Sequence, residues 1–295
     1  MTAAPSPTDQ LAALRTGCGV LAPARAFVAV EGLDAEAFLQ NLLTQDLAGI
    51  ADGEARRALL LTPKARVLAD VRVTRLGPER LLLDVEPVAV DELVKQLTRY
   101  RLGSKVQIEA TDQWALVSLI GPTARAIDLP GTRLATTLGD LPRVDVVVPT
   151  IERVDALAAA ERSGAVPVDE AAVEALRVEA GEVRLGHDVD ERWMPAEVGL
   201  VEATVSFDKG CFIGQEPVTR LHRRGHANRG PRRIALSAVV TPGTELVLDG
   251  KEAGVVTSVA DVPWLDDPRA IAILRVEVPE GAVLDAAGVT GTVLP

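Results

Sequence analysis

The sequence predicts an α+β body followed by a small C-terminal β-barrel. Up to about residue 180, short strand patterns alternate with amphipathic helix patterns, the arrangement of strands and helices that share one scaffold. Beyond Gly230-Pro231 the helical period disappears, and short apolar alternations are cut by Gly and Pro turns. The length agrees: 295 residues at roughly 150 per domain make about two domains. We place them at residues 1–228, itself two halves whose elements follow one order, and residues 229–295.

A helix around Gln10 to Arg15 leads to an apolar strand, Ala26 to Val30. A helix from Asp34 to Thr44 follows, where Ala37, Phe38 and Leu42 recur at helical spacing behind an Asp N-cap. Strands come next at Ala58 to Thr62, Val67 to Thr74 and Leu81 to Val85, and after Pro87 the run Val90 to Tyr100 is a second amphipathic helix. The alternation resumes with strands at Lys105 to Glu109 and Trp114 to Ile120, a helix after Gly121-Pro122, a strand at Val144 to Val148 and a helix at Ile151 to Arg162. Asp169 caps a further helix that Gly181 ends. The barrel strands are Arg232 to Ser237, Thr244 to Leu248, Glu252 to Ser258, Ala270 to Val276 and Gly288 to Val293, with Asp249-Gly250 as a hairpin turn.

Composition excludes several classes. Hydrophobic types make up 47% and charged types 25%, the balance of a folded protein and not of a disordered one. The longest apolar runs, such as Trp114 to Ile120, fall far short of the roughly 18 residues a membrane span needs. The opening MTAAPSPTDQ has neither a basic n-region nor an apolar h-region, so a cytoplasmic protein without membrane attachment is expected. Two cysteines, Cys18 and Cys211, and three histidines cannot supply four thiolates for an iron–sulphur cluster or a four-cysteine zinc site; an oxygen-ligated Mg or Ca site stays open without support from the sequence, and no metal site is expected. Gly17-Cys-Gly19-Val-Leu-Ala22 fits the loose dinucleotide pattern, but a helix and not a buried strand precedes it. His187-Asp188-Val-Asp190-Glu191 reads as a solvated polar loop, since the glycine and distal Glu of a calcium loop are missing.

Charge is unevenly placed. The formal net charge is −11, yet Lys209 to Arg233 carries seven basic residues and one acid, Glu216. Such a stripe holds a small carboxylate- or phosphate-bearing ligand at close range, while the acidic remainder disfavours polyanions at long range. The alternative is that these arginines pair with acids elsewhere on the surface.

Asp208-Lys209-Gly210-Cys211-Phe212-Ile213-Gly214-Gln215-Glu216-Pro217 is the most informative segment. Pro217 suits the first turn of a helix running through Arg220 to His222, which sets Cys211 in a glycine-flanked loop at that helix's positive end. That field and the Lys209 ammonium both favour a thiolate. Gly210 and Gly214 permit close backbone approach to a ligand, and Gln215 and Glu216 offer donors and acceptors to a planar heterocycle. A structural turn around a buried cysteine is the competing interpretation.

The run KGCFIGQE, with the RRGHANRG after it, resembles the signature of the YgfZ-type folate-binding proteins, relatives of the T protein (aminomethyltransferase) of the glycine cleavage system. Upstream, Arg177-VEAG and Gly186-HDVDERWMPAEVGL are similar to a segment these relatives share, in which a Glu before Ala-Gly contacts the pterin; that position is Glu179 here. FLQNLLTQDL and LLTPKARVLADVRV resemble the family's early helix and strand pair. The resemblance implies a folate-binding, aminomethyltransferase-like α/β body with a barrel behind it, and tetrahydrofolate or a one-carbon derivative as cofactor. It implies iron–sulphur proteins or their assembly factors as partners, and a link to tRNA modification.

On that basis Cys211, Lys209 and Asp70 are the candidate catalytic residues. Glu179, Gly210, Gly214, Gln215, Glu216, Arg220, Arg223 and Arg224 are the candidate folate contacts, the arginines receiving the anionic glutamyl tail. This sequence also departs from a T protein. It reads Ala69-Asp70 where the T protein has an acidic pair, Glu86 where it has an Asn, and carries Cys211 where it generally has no cysteine. Two other functions stay open: a folate-dependent aminomethyl or one-carbon transferase using Asp70, and a tRNA-binding module using the Arg220 to Arg233 stripe.

Overall fold

Helix α1 (Pro7–Thr16) starts where Ser6 caps it: Ser6 Oγ accepts from Asp9 N and Asp9 Oδ2 accepts from Ser6 N, both at 3.2 Å. The computed structural model describes residues 5–225 and 227–295. After β1 (Gly19–Leu21) and β2 (Ala26–Glu31), α2 (Ala35–Leu42) turns Phe38, Leu39 and Leu42 inward. Asp34 occupies its N-cap position but does not cap it; the carboxylate accepts from Lys105 N at 2.7 Å instead. Next come β3 (Ala55–Leu61), β4 (Val67–Gly77), β5 (Arg80–Val85) and α3 (Val90–Tyr100), whose Leu93 and Leu97 are buried. Strand β6 (Gln107–Thr111) begins two residues later than its apolar pattern suggests, because Lys105 is tied into the turn with Asp34.

Strand β7 (Trp114–Ile120) lies where expected. The helix expected after Gly121-Pro122 is only a 3-10 turn, Ala124–Ala126; Pro130-Gly131 stops anything longer. The chain then enters β8 (Thr132–Leu138), a strand whose exposed centre, Ala135 to Thr137, hides it from an alternation test. The remaining elements are β9 (Leu141–Pro149), α4 (Arg153–Arg162), β10 (Val166–Pro167), α5 (Glu170–Ala180), α6 (Val201–Thr204), α7 (Gln215–Arg223), β11 (Arg229–Leu236), β12 (Glu245–Leu248), β13 (Lys251–Ala260), β14 (Arg269–Arg275), β15 (Val283–Ala286) and β16 (Val289–Val293). Asp169 caps α5 by accepting from Ala172 N at 2.8 Å. Asp249 and Gly250, both at positive φ, make the two-residue turn between β12 and β13.

The chain forms two units. One gathers the residues up to Pro23 with Ala115–Asp188 and Asn228–Pro295; the other consists of Ala24–Trp114 and Val189–Ala227. In the second unit an antiparallel sheet runs in the order β3-β4-β5-β2-β6. Along β4, Val67, Ala69, Val71 and Val73 are buried while Leu68, Asp70 and Arg72 are only partly so, which gives this sheet one apolar and one charged face. The first unit contains the sheet β10-β1-β7-β9-β8 and a closed six-stranded barrel, β11-β14-β13-β12-β15-β16. With β1 set aside, the order β8-β9-β7-β10 repeats β4-β5-β2-β6 of the other sheet, and α4 stands where α3 does in chain order. The barrel interior is filled by Ile234, Leu236, Leu246, Val256, Leu274 and Leu284. The expected α+β body with a C-terminal barrel is therefore the observed fold.

Candidate functional site

Cys211 is exposed, so its segment is not a turn around a buried cysteine. The loop that carries it is held from both sides, with Lys209 and Phe212 buried and Gly210 and Cys211 facing solvent. Gly214, at φ 81°, is the N-cap of α7, and a Cβ on it would stand 2.7 Å from Thr62 O. Gly210 differs: its φ is ordinary and a Cβ there would meet nothing within 4 Å. No contact inside the protein requires glycine at that position. Gln215 is half-buried and Glu216 exposed in the first turn of α7.

Lys209 is 9% exposed, and its Nζ donates to Gln40 O at 2.5 Å, Leu43 O at 2.6 Å and Gln45 O at 3.0 Å. Burial pushes its pKa down to about 8, partly opposed by the charge of Asp46, so it remains an ammonium at neutral pH. An ammonium has three donors, and all three are engaged. None of its N–H groups is therefore left to hydrogen-bond the Cys211 sulphur.

Cys18 is 2% exposed, and burial pushes its thiol up to about 11. At pH 8 only about one part in a thousand of such a thiol is ionised. Native protein is therefore expected to release one equivalent of thione from 4,4′-dithiodipyridine quickly and a second only in denaturant. Rapid reaction of two thiols, or of none, would contradict this assignment of the cysteines.

Asp70 lies on the charged face of the second unit's sheet. Arg57 holds it in a fork, Nε to Oδ1 at 2.9 Å and Nη2 to Oδ2 at 2.5 Å. Along the same face Asp84, 2% exposed, accepts from Arg25 Nη2 at 2.8 Å and Arg72 Nε at 2.7 Å. Arg25 also donates to Glu86 at 2.5 Å. Asp84 was not singled out from sequence, because nothing in the LLLDV run distinguishes a buried acid from an exposed one.

Glu179 belongs to the other unit. It sits in the last turn of α5, where both carboxylate oxygens accept from Arg15 Nη2 at 2.8 Å. Two residues earlier Arg177 uses all five of its donors: Nε and Nη2 to Glu174 at 2.9 and 2.6 Å, Nη2 to Ser258 Oγ at 2.8 Å, and Nη1 to Asp188 Oδ2 at 2.7 Å and to Glu182 O. Asp188, only 1% exposed, also accepts from Arg184 N, Thr257 Oγ1 and Ser258 Oγ. This corrects the expectation that residues 187–191 form a solvated loop: the acid at 188 ties α5 to barrel strand β13. Its side-chain partners lie 11, 69 and 70 positions away, beyond the reach of local pattern.

The basic stripe divides. Arg229 pairs with Glu252 at 2.7 Å and Arg233 reaches the backbone carbonyl of Pro295. Arg220, Arg223 and Arg224 are exposed, and among the described residues their guanidinium groups take no acid partner. A cavity of about 310 Å³ opens beside α7, lined by residues that include Met194, Val201, Glu202, Val218, Leu221 and His222. None of the candidate catalytic or folate-contact residues lines it, although Met194, Pro195, Ala196 and Gly199 of the Gly186-HDVDERWMPAEVGL segment do. Among the described residues no three His, Cys, Asp or Glu side chains gather as a metal-binding group, and no helix is long and apolar enough to cross a membrane.

Comparison with known proteins adds three findings. The model of a family described as the GCVT N-terminal domain matches residues 8–157. An aminomethyltransferase of Chlorobium phaeobacteroides is 30% identical over 275 residues, covering 81% of this chain and 74% of its own, and an uncharacterized protein of Haemophilus influenzae is 28% identical over 204 residues, 68% of each chain. The solved structure of the glycine cleavage system aminomethyltransferase T from Bartonella henselae shares the fold, with a TM-score of 0.82 over 96% of this chain and 86% of that one at 24% identity.

Proposed function

The chain belongs to the family of the GCVT N-terminal domain, and from that membership we propose that it is a tetrahydrofolate-binding accessory factor of the YgfZ type, acting in assembly or repair of iron–sulphur proteins. The observation that carries the reading is the presentation of Cys211: an exposed thiol in a loop buried on both sides of it, in a protein whose other cysteine is buried. A factor that serves other proteins' clusters needs a thiol that a partner can reach.

Polar groups of each unit, taken by itself, suit parts of a reduced folate. Glu179 accepts from a single Arg15 nitrogen and keeps lone pairs for the amino and ring N–H edge of a pterin. Arg220, Arg223 and Arg224 offer guanidinium forks to glutamyl carboxylates. Gly210, which no internal contact requires, allows close approach to its backbone. Gln215 and Glu216 add polar groups at the start of α7. When bound, the folate supplies a one-carbon carrier; the protein binds and orients it.

Titration calorimetry with tetrahydrofolate and its 5-formyl derivative tests the ligand half. Micromolar binding is expected, weakened about tenfold by Glu179→Gln, the loss of one charge-assisted contact. No heat from a folded sample at that concentration would sink it. For the thiol half, Cys211→Ser is expected to abolish rescue of iron–sulphur enzyme activity in a deletion strain, and full rescue would remove the role. The curated aminomethyltransferase relative favours a second reading, aminomethyl transfer with Asp70 steering a proton. The Arg57 fork on Asp70 weighs against it, since both carboxylate oxygens already accept from the guanidinium. Methylenetetrahydrofolate formation in a glycine cleavage assay, lost in Asp70→Asn, would establish that reading. Salt-sensitive retention on tRNA, reduced by Arg223 and Arg224 substitutions, would instead support a tRNA-binding module.

A further inference from the structure

We propose that Lys209 is a positioning residue: it pins the Cys211 loop onto the C-terminal end of α2 and holds the thiol outward. This rests on the reading of Cys211 as the working thiol.

The end of α2 has a gap that the ammonium fills. Leu43 N closes the helix on Leu39 O, but Thr44 N, which would continue it to Gln40 O, bonds Leu59 O instead. Gln40 O is thereby orphaned, as the last carbonyls of a helix are. Lys209 Nζ takes Gln40 O together with Leu43 O and Gln45 O, three carbonyls at the negative end of a helix. The segment it grips is itself held: Thr44 Oγ1 accepts from Leu59 N and donates to Thr204 O, Thr44 O accepts from Ser206 N, and Gln40 Nε2 donates to Asp46 Oδ1. Phe212, 6% exposed, places its ring 5.6 Å from the same ammonium. Lys209 and Phe212 are thus two inward anchors, and the two residues between them have nowhere to turn but solvent. The charged groups facing the ammonium are the Asp46 carboxylate and, through Asp46, Arg56. Every Lys209 donor is committed to a carbonyl of the α2 end, so the lysine fixes where the Cys211 loop sits.

The test compares wild type, Lys209→Met and Lys209→Arg by two readouts. Backbone hydrogen exchange across residues 208–214 measures the anchoring, and the pH midpoint of Cys211 labelling by the neutral disulfide 4,4′-dithiodipyridine measures any direct charge effect. Lys209→Met is expected to speed exchange of the loop about tenfold, with the strands of the same unit unchanged. Lys209→Arg, which keeps a cation at the helix end, is expected to restore much of the protection. A midpoint raised by about one pH unit with loop exchange unchanged would overturn the proposal in favour of electrostatic tuning. No change in either readout would overturn it outright. Should Lys209→Met fail to fold, the arginine variant decides: faster loop exchange with an unmoved midpoint supports positioning, and wild-type exchange with a shifted midpoint refutes it. These readouts do not depend on folate or on cellular rescue, so a failure of the functional reading shows separately, in Cys211→Ser.

Discussion

Arg177→Met is expected to lower stability by about 3–5 kcal/mol, the cost of stranding a buried charge, and to reduce Tm by on the order of 10 °C. The reason is the completeness of the network. Five guanidinium donors meet five acceptors, and Asp188, 1% exposed, accepts from four groups. Removing the guanidinium leaves the Asp188 carboxylate desolvated without its cation, and takes one partner from Glu174, which keeps Arg184, and from Ser258, which keeps Asp188. Arg177→Met with Asp188→Asn should recover part of the loss, because the stranded charge is gone while the amide oxygen can still accept from the surrounding donors.

The network has a pH signature as well. Burial would raise the Glu174 pKa, but hydrogen bonds and charge from Arg177 outweigh it and hold the carboxyl below its ordinary value of 4.5. A lowered folded pKa stabilises the fold above the ordinary value, and that contribution disappears as pH falls through the folded value. Wild type should therefore lose stability on acidification below about 4.5. In Arg177→Met the slope at Glu174 should flatten or reverse, since burial is then opposed only by the charges of His187 and Arg184. Urea denaturation at several pH values measures both effects. A loss below about 1 kcal/mol at neutral pH, the range of surface ion pairs, would mean the network is not desolvated.

The second large effect is a contrast between two glycines of one loop. Gly214→Ala should cost about 2–5 kcal/mol, combining left-handed strain with a clash against backbone. At φ 81° its Cβ would lie 2.7 Å from Thr62 O and 3.2 Å from Ala65 Cα, atoms that cannot swing aside as a side chain does. The start of α7 would shift, and the Cys211 loop with it. Gly210→Ala should change stability by less than about 0.5 kcal/mol, as at an ordinary surface position, because its Cβ meets open space. If a ligand approaches that backbone, the same substitution weakens folate binding while leaving Tm unchanged. Thermal melts and titrations on both variants separate the two roles, and an equal loss of stability in both would refute the contrast.

Strongly periodic elements were legible before the structure. Val90 to Tyr100 and Trp114 to Ile120 fall where their patterns place them, because each buries a face that its own residues define. The capped ends of α5 and the Asp249-Gly250 turn were readable for the same reason, their chemistry being contained in a few adjacent residues. Strand β8 was not, as its exposed centre lacks alternation. The thiol loop was visible as a segment of chemistry, but not the direction in which its lysine points.

By itself the sequence determined the class of fold, the family resemblance, and the presence of a glycine-flanked cysteine beside a basic helix, all of them properties of contiguous residues. Only the tertiary structure decided which charges are buried and what they bind. Lys209 finds its first carbonyl 169 positions away, and Arg177 reaches Ser258 across 81. Local pattern fixes periodicity and turn chemistry; a desolvated charge is satisfied by whatever polar group the folded chain brings within about 3 Å, and sequence spacing does not constrain that choice.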